Sequence, residues 1–217
     1  MKNRQGIFPI VLGLLLIAGA VGLIAWNLFS DKKAQESSAN ALTQLRQTIS
    51  SPAPVSAPLP GKEETHSPAP TAEEIVIPDH ILNPNMDMPT ETVNGWDYIG
   101  ILEIPAIDLC LPIISQWSDA ALNVAPCHYS GSAYTGDLIL SGHNYTAHFW
   151  YLSDLSTGDN VYFTDIDGNV FSYEVAERET LRPTAVEQMK SGDWDLTLFT
   201  CTLGGQSRVT IRCIQTN

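Results

Sequence analysis

The longest pattern in the chain is a run without a charge from Ile7 to Phe29. At 1.5 Å per residue a helix of this length crosses a hydrocarbon core of about 30 Å. The run is apolar on all faces, which suits lipid better than a one-sided protein core. It passes the small-residue triplet Ala18-Gly19-Ala20, which has the look of a signal-peptidase site, and continues through Val21, Leu23, Ile24, Trp26 and Leu28. The expectation is therefore an uncleaved anchor rather than a removed signal peptide. Lys2 and Arg4 precede the run, and Lys32 and Lys33 follow it, offset by Asp31. The amino terminus is placed inside, because all that follows reads as extracytoplasmic.

The pattern then changes twice. Residues 34–50 allow a short helix with few apolar positions, and residues 51–72 carry Pro52, Pro54, Pro58, Pro60, Pro68 and Pro70 among Ser, Thr and Ala. Such a stretch buries too little apolar surface to offset the entropy of ordering and predicts an extended spacer that lifts a domain off the membrane. From Trp96 onward the pattern is short and alternating. Tyr98–Ile104, Leu109–Ile114, Asp137–Ser141, Asn160–Thr164, Val170–Ala176, Leu196–Thr200 and Arg208–Ile214 predict strands, with a hairpin turn at Asp167-Gly168. Short helices are expected near Ala147–Leu155 and Thr184–Lys190. Many short strands with little helix imply a mainly β barrel or sandwich. The division is thus 1–30 cytoplasmic tip and anchor, 31–74 stalk, 75–95 a lid or packing segment, and 96–217 the domain.

Charge narrows the partners. The 217 residues hold 24 Asp+Glu against 11 Lys+Arg, the wrong sign for a phosphate backbone, so nucleic acid is excluded as a partner. The four cysteines, Cys110, Cys127, Cys201 and Cys213, form no CxxC pair and no Cys/His metal spacing. No metal or other cofactor is expected, and one bridge among Cys110, Cys127 and Cys213 stays open. Asp165-Ile166-Asp167-Gly168-Asn169 imitates the start of a calcium loop but lacks the glutamate at its twelfth position, so it is read as a hairpin turn.

Candidate chemistry sits at strand ends. Cys201 closes Leu196-Thr197-Leu198-Phe199-Thr200 just before the turn at Gly204-Gly205, and alternation sets it on the face of Thr197 and Phe199. His143 follows Gly142 at the end of Leu138–Ser141, with His128 and His148 as the other histidines close to the chemistry. Arg208 opens the last strand; a guanidinium there can stabilise the oxyanion that a thioester-forming enzyme must pass through. Arg212 shares its strand face, and alternation does not choose between the two.

These features in this order resemble the sortases. The likeness runs from about Tyr98 to Ile214. Tyr98-Ile99-Gly100-Ile101-Leu102-Glu103-Ile104-Pro105 resembles the family's first strand, and Cys127 to Ala133 followed by Gly142-His143-Asn144 resembles its approach to the catalytic histidine. Thr197-Leu198-Phe199-Thr200-Cys201 is similar to the TLxTC motif, and Arg208-Val209-Thr210-Ile211 to the start of the closing strand, with Arg212 at a later, non-catalytic position. The resemblance, nearest to class B or class D, implies an eight-stranded β-barrel. It implies a membrane-anchored cysteine transpeptidase with catalytic Cys201, His143 and Arg208, and with Thr200 as a substrate contact. Its implied partners are secreted proteins bearing a C-terminal LPxTG-like sorting signal, and a peptidoglycan precursor or pilin amine as acceptor. The expected location is a single-pass membrane protein with its catalytic domain outside the cell. Two other readings fit the same residues: a hydrolytic cysteine peptidase and a non-enzymatic wall-associated binding domain.

Overall fold

Alternating side chains let one face of each short strand turn inward, and closing the sheet on itself removes the exposed edges. A computed structural model shows this for the chain, describing residues 7–50 and 77–216. The strands are β1 (Glu91–Val93), β2 (Trp96–Ile104), β3 (Leu109–Ile114), β4 (Cys127–Ser130), β5 (Leu138–Ser141), β6 (Asn160–Asp165), β7 (Val170–Leu181), β8 (Leu196–Cys201) and β9 (Arg208–Gln215). They pair in the order β1-β2-β3-β4-β5-β8-β9-β7-β6, and a β2–β6 pairing closes β2 through β9 into an eight-stranded barrel. Closure depends on Gly100. A Cβ there would lie 2.2 Å from the Thr164 carbonyl oxygen, so only glycine lets β6 approach.

The barrel is filled by Leu102, Ile104, Ile113, Leu138, Leu140, Val161, Phe163, Tyr173, Leu196, Leu198 and Ile211, among others. The alternation expected in β6 and β7 holds, with Val161, Phe163, Phe171, Tyr173 and Val175 inward. Strand β8 is buried on both faces, because its outer face is covered by a second cluster of Ile139, Leu181, Met189 and Phe199. Two strands escaped the pattern. β1 is three residues long and half polar, and β4 reads Cys-His-Tyr-Ser, so neither shows a clean apolar period. β7 runs five residues beyond Ala176, because the polar stretch Glu177–Leu181 pairs with β9 past a bulge at Val175/Glu177. The expected helix at Ala147–Leu155 is a 3-10 turn, Trp150–Asp154, and the one at Thr184–Lys190 is Val186–Lys190.

Helix α1 spans Ile7–Ser50 without a break. From Ile10 to Phe29 its large apolar side chains are exposed, and it is long and apolar enough to cross a membrane. Beyond Ser30 it changes role and lies against the barrel. Ala34, Ser38, Ala41 and Leu45 are buried at spacings of four, three and four, one helix face. The Ser38 hydroxyl donates to the Val124 carbonyl at 2.8 Å, and Arg46 meets Glu103 at 3.3 Å. The sequence expectation of a spacer beginning at residue 31 is therefore corrected for 31–50. The docking face begins with the small residues Ala34, Ser38 and Ala41, which permit close approach, and widens to Leu45 with Leu42 and Ile49 beside it. The Pro-rich part of that spacer lies outside the described residues.

From residue 77 to 95 the chain packs on the barrel. His80, in α2 (Asp79–Leu82), stacks on Tyr134 with ring centroids 4.7 Å apart and tilts against Phe171 at 5.4 Å. The hairpin turn after β6 is tied by the buried Asp165 carboxylate, which accepts from the Asn169 backbone N–H, the Asn169 side-chain amide and the Tyr134 hydroxyl at 2.7–2.8 Å. All four cysteines are free thiols.

Candidate active site

Parallel strands end side by side, and this brings the chemistry together. β5 and β8 are parallel neighbours with Ser141 opposite Phe199, and the Gly142 N–H donates to the Phe199 carbonyl at 3.1 Å. His143 and Cys201 each come two residues beyond that pair, so both emerge at one end of the barrel on its outer face. β9 runs back along β8 with Arg208 directly opposite Cys201. Residues separated by 58 positions in one case and seven in the other are thus set on adjoining strand ends.

Cys201 is half-buried in a cleft of about 220 Å³, lined by Thr200, Asn144, Trp150, Ser153, Leu203 and Val209 with Thr202 at its side. The sequence pattern did not single out Trp150, Ser153 or Leu203, which arrive through the connections after β5 and β8; Asn144 follows His143, and Val209 lies on β9 beside Arg208. Thr200, the neighbour of Cys201 on β8, also lines the cleft; it is buried, and its hydroxyl has no hydrogen-bond partner among the described residues. No residue of 77–95 lines this cleft, so among the described residues that segment packs rather than covers. A larger space of about 820 Å³ lies elsewhere, between α1 and the barrel around Trp26, Phe29, Trp96 and Tyr145. It contains none of the cysteines.

The two arginines separate cleanly. Arg208 is partly exposed, and among the described residues its guanidinium donates only to the Gly205 and Ser207 carbonyls of the preceding turn, at 3.2 and 3.1 Å. Arg212 is buried. It donates to Glu179 at 2.7 Å, the Met189 carbonyl at 2.7 Å, the Gln188 carbonyl at 2.7 Å and the Thr197 hydroxyl at 2.9 Å. With four of its five N–H donors engaged and the side chain buried, this guanidinium is committed to structure rather than to an oxyanion.

The histidines separate in the same way. His128 has both ring nitrogens against backbone carbonyls, Ser115 at 3.1 Å and Gly131 at 2.7 Å. His148 is fully buried; among the described residues its ring nitrogens reach no partner at full hydrogen-bond geometry, with the Val124 backbone beside the ring. His143 is half-exposed and its ring rests on Tyr145, centroids 4.7 Å apart. Burial lowers its pKa, and the Asp119 carboxylate pulls the other way. Among the described residues no hydrogen bond joins His143 directly to Cys201.

Gly142 makes the approach of this loop to the core fit. A Cβ there would meet the Phe149 ring at 2.6 Å, and Phe149 is fully buried. Gly142→Ala is expected to cost about 1–3 kcal/mol by overpacking, read by urea denaturation, and to shift the adjacent His143.

His148 carries a pH signature. Burial, followed by the neighbouring His143, lowers its pKa to about 4. The unfolded chain therefore takes up a proton near pH 6.5 that the folded chain refuses until about pH 4. Stability from this residue is complete above the unfolded value and falls as pH drops through that window, by about 3 kcal/mol. Urea melts across pH 4.5–7 should show this slope, and His148→Gln should flatten it, about one pKa unit corresponding to 1.4 kcal/mol.

The sortase domain model matches residues 102–215, just over half of the chain. The chain belongs to the sortase family. Among solved structures, sortase A from Corynebacterium diphtheriae is similar at 26% identity and a TM-score of 0.52, over 56% of this chain and 62% of that one. This sortase thus spans less than two thirds of that relative's length. A Clostridium perfringens sortase C, solved with the C-terminal cell wall sorting motif, is similar at 27% identity and a TM-score of 0.50, over 56% of this chain and 71% of the other. Clostridium perfringens sortase D5, at 24% identity and a TM-score of 0.51, shares the fold. No curated protein matches the sequence. The eight-stranded barrel expected from the family resemblance is the barrel closed by β2 and β6 in this sortase.

Proposed function

We propose that this sortase is a membrane-anchored cysteine transpeptidase that cuts an LPxTG-like sorting signal and transfers the protein to an amine of the cell wall or of a pilin. One observation carries the reading: the register that sets Cys201 opposite Arg208, at the strand ends where His143 also emerges. In this reading the Cys201 thiolate attacks the carbonyl carbon of the Thr–Gly-type bond. Arg208 turns from its loop carbonyls to hold the oxyanion of the tetrahedral intermediate. The intermediate collapses to a Cys201 thioester, and His143 gives a proton to the departing amine. An incoming amine then loses a proton to His143 and attacks the thioester carbonyl, forming the new amide and returning the Cys201 thiolate. The free hydroxyl of Thr200 is left for the substrate backbone.

The sorting motif held by the Clostridium perfringens sortase C supports the choice of substrate class for this chain. The exposed apolar stretch of α1 supports the anchor, with the amino terminus inside and the barrel outside. The test is to incubate the full-length protein in detergent with LPxTG and NPxTx peptides, with and without an amine acceptor. Ligated product that forms only with the amine supports transpeptidation. Equal cleavage in both arms makes the protein a hydrolytic peptidase, and no thioester on Cys201 in either arm makes it a binding domain.

A further inference from the structure

The loop that carries His143 is closed on itself at both ends. The Phe149 N–H donates to the His143 carbonyl at 3.1 Å, and the Tyr145 carbonyl accepts from the His148 and Trp150 N–H groups at 2.9 and 3.2 Å. Its apex, Thr146 and Ala147, has no such internal tie. Among the described residues, both hydrogen bonds that reach the apex come from one side chain, Asp31. The Asp31 carboxylate accepts from the Thr146 hydroxyl and from the Ala147 N–H, the latter at 3.2 Å. Asp31 stands two residues past Phe29, where the exposed apolar stretch of α1 ends. It is a fixed post, because the next turns of α1 are docked through Ala34, Ser38 and Ala41, with Ser38 bonded to Val124.

We propose that Asp31 is a positioning residue for His143, holding the histidine loop from the mouth of the membrane anchor. The proposal rests on the catalytic role given to His143 above. Asp31 acts through the apex: its two bonds fix Thr146 and Ala147, these fix Tyr145, and the Tyr145 ring backs the His143 imidazole. The carboxylate near enough to His143 to favour its charged form is Asp119. The Asp31 charge acts on Tyr145 and His148 of the same loop rather than on His143, so its contribution to His143 is one of geometry, and an uncharged side chain of the same shape should preserve it. Asparagine can accept from the Ala147 N–H with its carbonyl and donate to the Thr146 hydroxyl with its amide.

The test uses the full-length protein in lipid nanodiscs, with a fluorogenic LPxTG peptide and an amine acceptor. Asp31→Ala should lower kcat on the order of tenfold, with KM within about twofold, because a displaced catalytic group costs rate rather than uniform binding. Hydrogen exchange at the Ala147 amide should quicken on the order of tenfold as its acceptor is lost. Asp31→Asn should restore both. Glu36→Gln, which removes a charge at an exposed position of the same helix, is the control and should leave kcat near the wild-type value. Asp31→Ala with wild-type kcat, or Asp31→Asn as impaired as Asp31→Ala, overturns the proposal while leaving the transpeptidase reading intact. A wild-type protein that cleaves no sorting peptide overturns both.

Discussion

Cys201→Ala should lower kcat/KM for a sorting peptide by at least about 10³-fold, the scale on which removing a covalent nucleophile acts, and leave the barrel folded. Cys201 ends β8 half-exposed in its cleft, and alanine keeps the Cβ and the strand geometry. Its stability cost should stay within about 0.5 kcal/mol, as for a substitution that opens no core cavity. No other thiol can stand in. Burial raises the pKa of Cys127 and Cys213 to about 12 each, and that of Cys110 to about 11, where its hydrogen bond to Glu103 adds to burial. Since the thiolate is the reactive form, iodoacetamide at neutral pH should label Cys201 before the other three in the native protein. Steady-state turnover, a thermal melt and peptide mass mapping check the three parts. Labelling that starts at Cys110 would count against the assignment.

Arg208→Ala and Arg212→Ala should fail in opposite ways. Loss of Arg208 removes a donor that faces Cys201 but holds only two loop carbonyls. The expected result is a drop of about 10²–10³ in kcat, the usual cost of losing an oxyanion donor, with little change in melting temperature. Loss of Arg212 strands the Glu179 carboxylate, the Thr197 hydroxyl and the carbonyls of Gln188 and Met189 together. Removing one partner of such a buried set costs about 3–5 kcal/mol, or a melting temperature lower by about 10 °C. Arg208→Lys separates charge from geometry. A lysine keeps the charge but not the planar fork, so partial recovery points to charge, and none points to the bidentate shape. Should Arg212→Ala melt normally and lose turnover instead, the two roles are exchanged.

The barrel was legible where strands alternate over five residues or more, as in Asn160–Thr164 and Arg208–Ile214. It was not legible in Glu91–Val93 or Cys127–Ser130. There the pairing is set by neighbouring strands, and the local residues carry no period of their own. Alternation correctly put Arg208 and Arg212 on one face but does not report burial. Glu179 on β7 and the carbonyls of the short helix Val186–Lys190, which engage Arg212, come from segments 33 and 23–24 residues away. Cys201 and His143 could be proposed because each ends a strand next to glycine. Trp150, Ser153 and Leu203 could not, because only the folded loops bring them to the thiol. Asp31 was legible only as a charge that offset Lys32 and Lys33. Its contact with Thr146 spans 115 positions, and no local pattern announces it.

The docking of α1 changes what a proline-rich segment can do in this protein. Residues 51–76 join Ser50, at the end of a helix whose Ile49 lies beside Gly168, to Ile77, whose neighbours pack on Tyr134. Both joins are on the barrel itself. In the anchored arrangement proposed above, the contour length of that segment therefore does not set the height of the thiol above the lipid. The continuous helix α1 sets it instead, joining the exposed stretch that ends at Phe29 to the docked face that begins at Ala34 in a rise of about 7.5 Å. Adding residues to α1 between Phe29 and Asp31 rotates the active end about the helix axis by about 100° for each one.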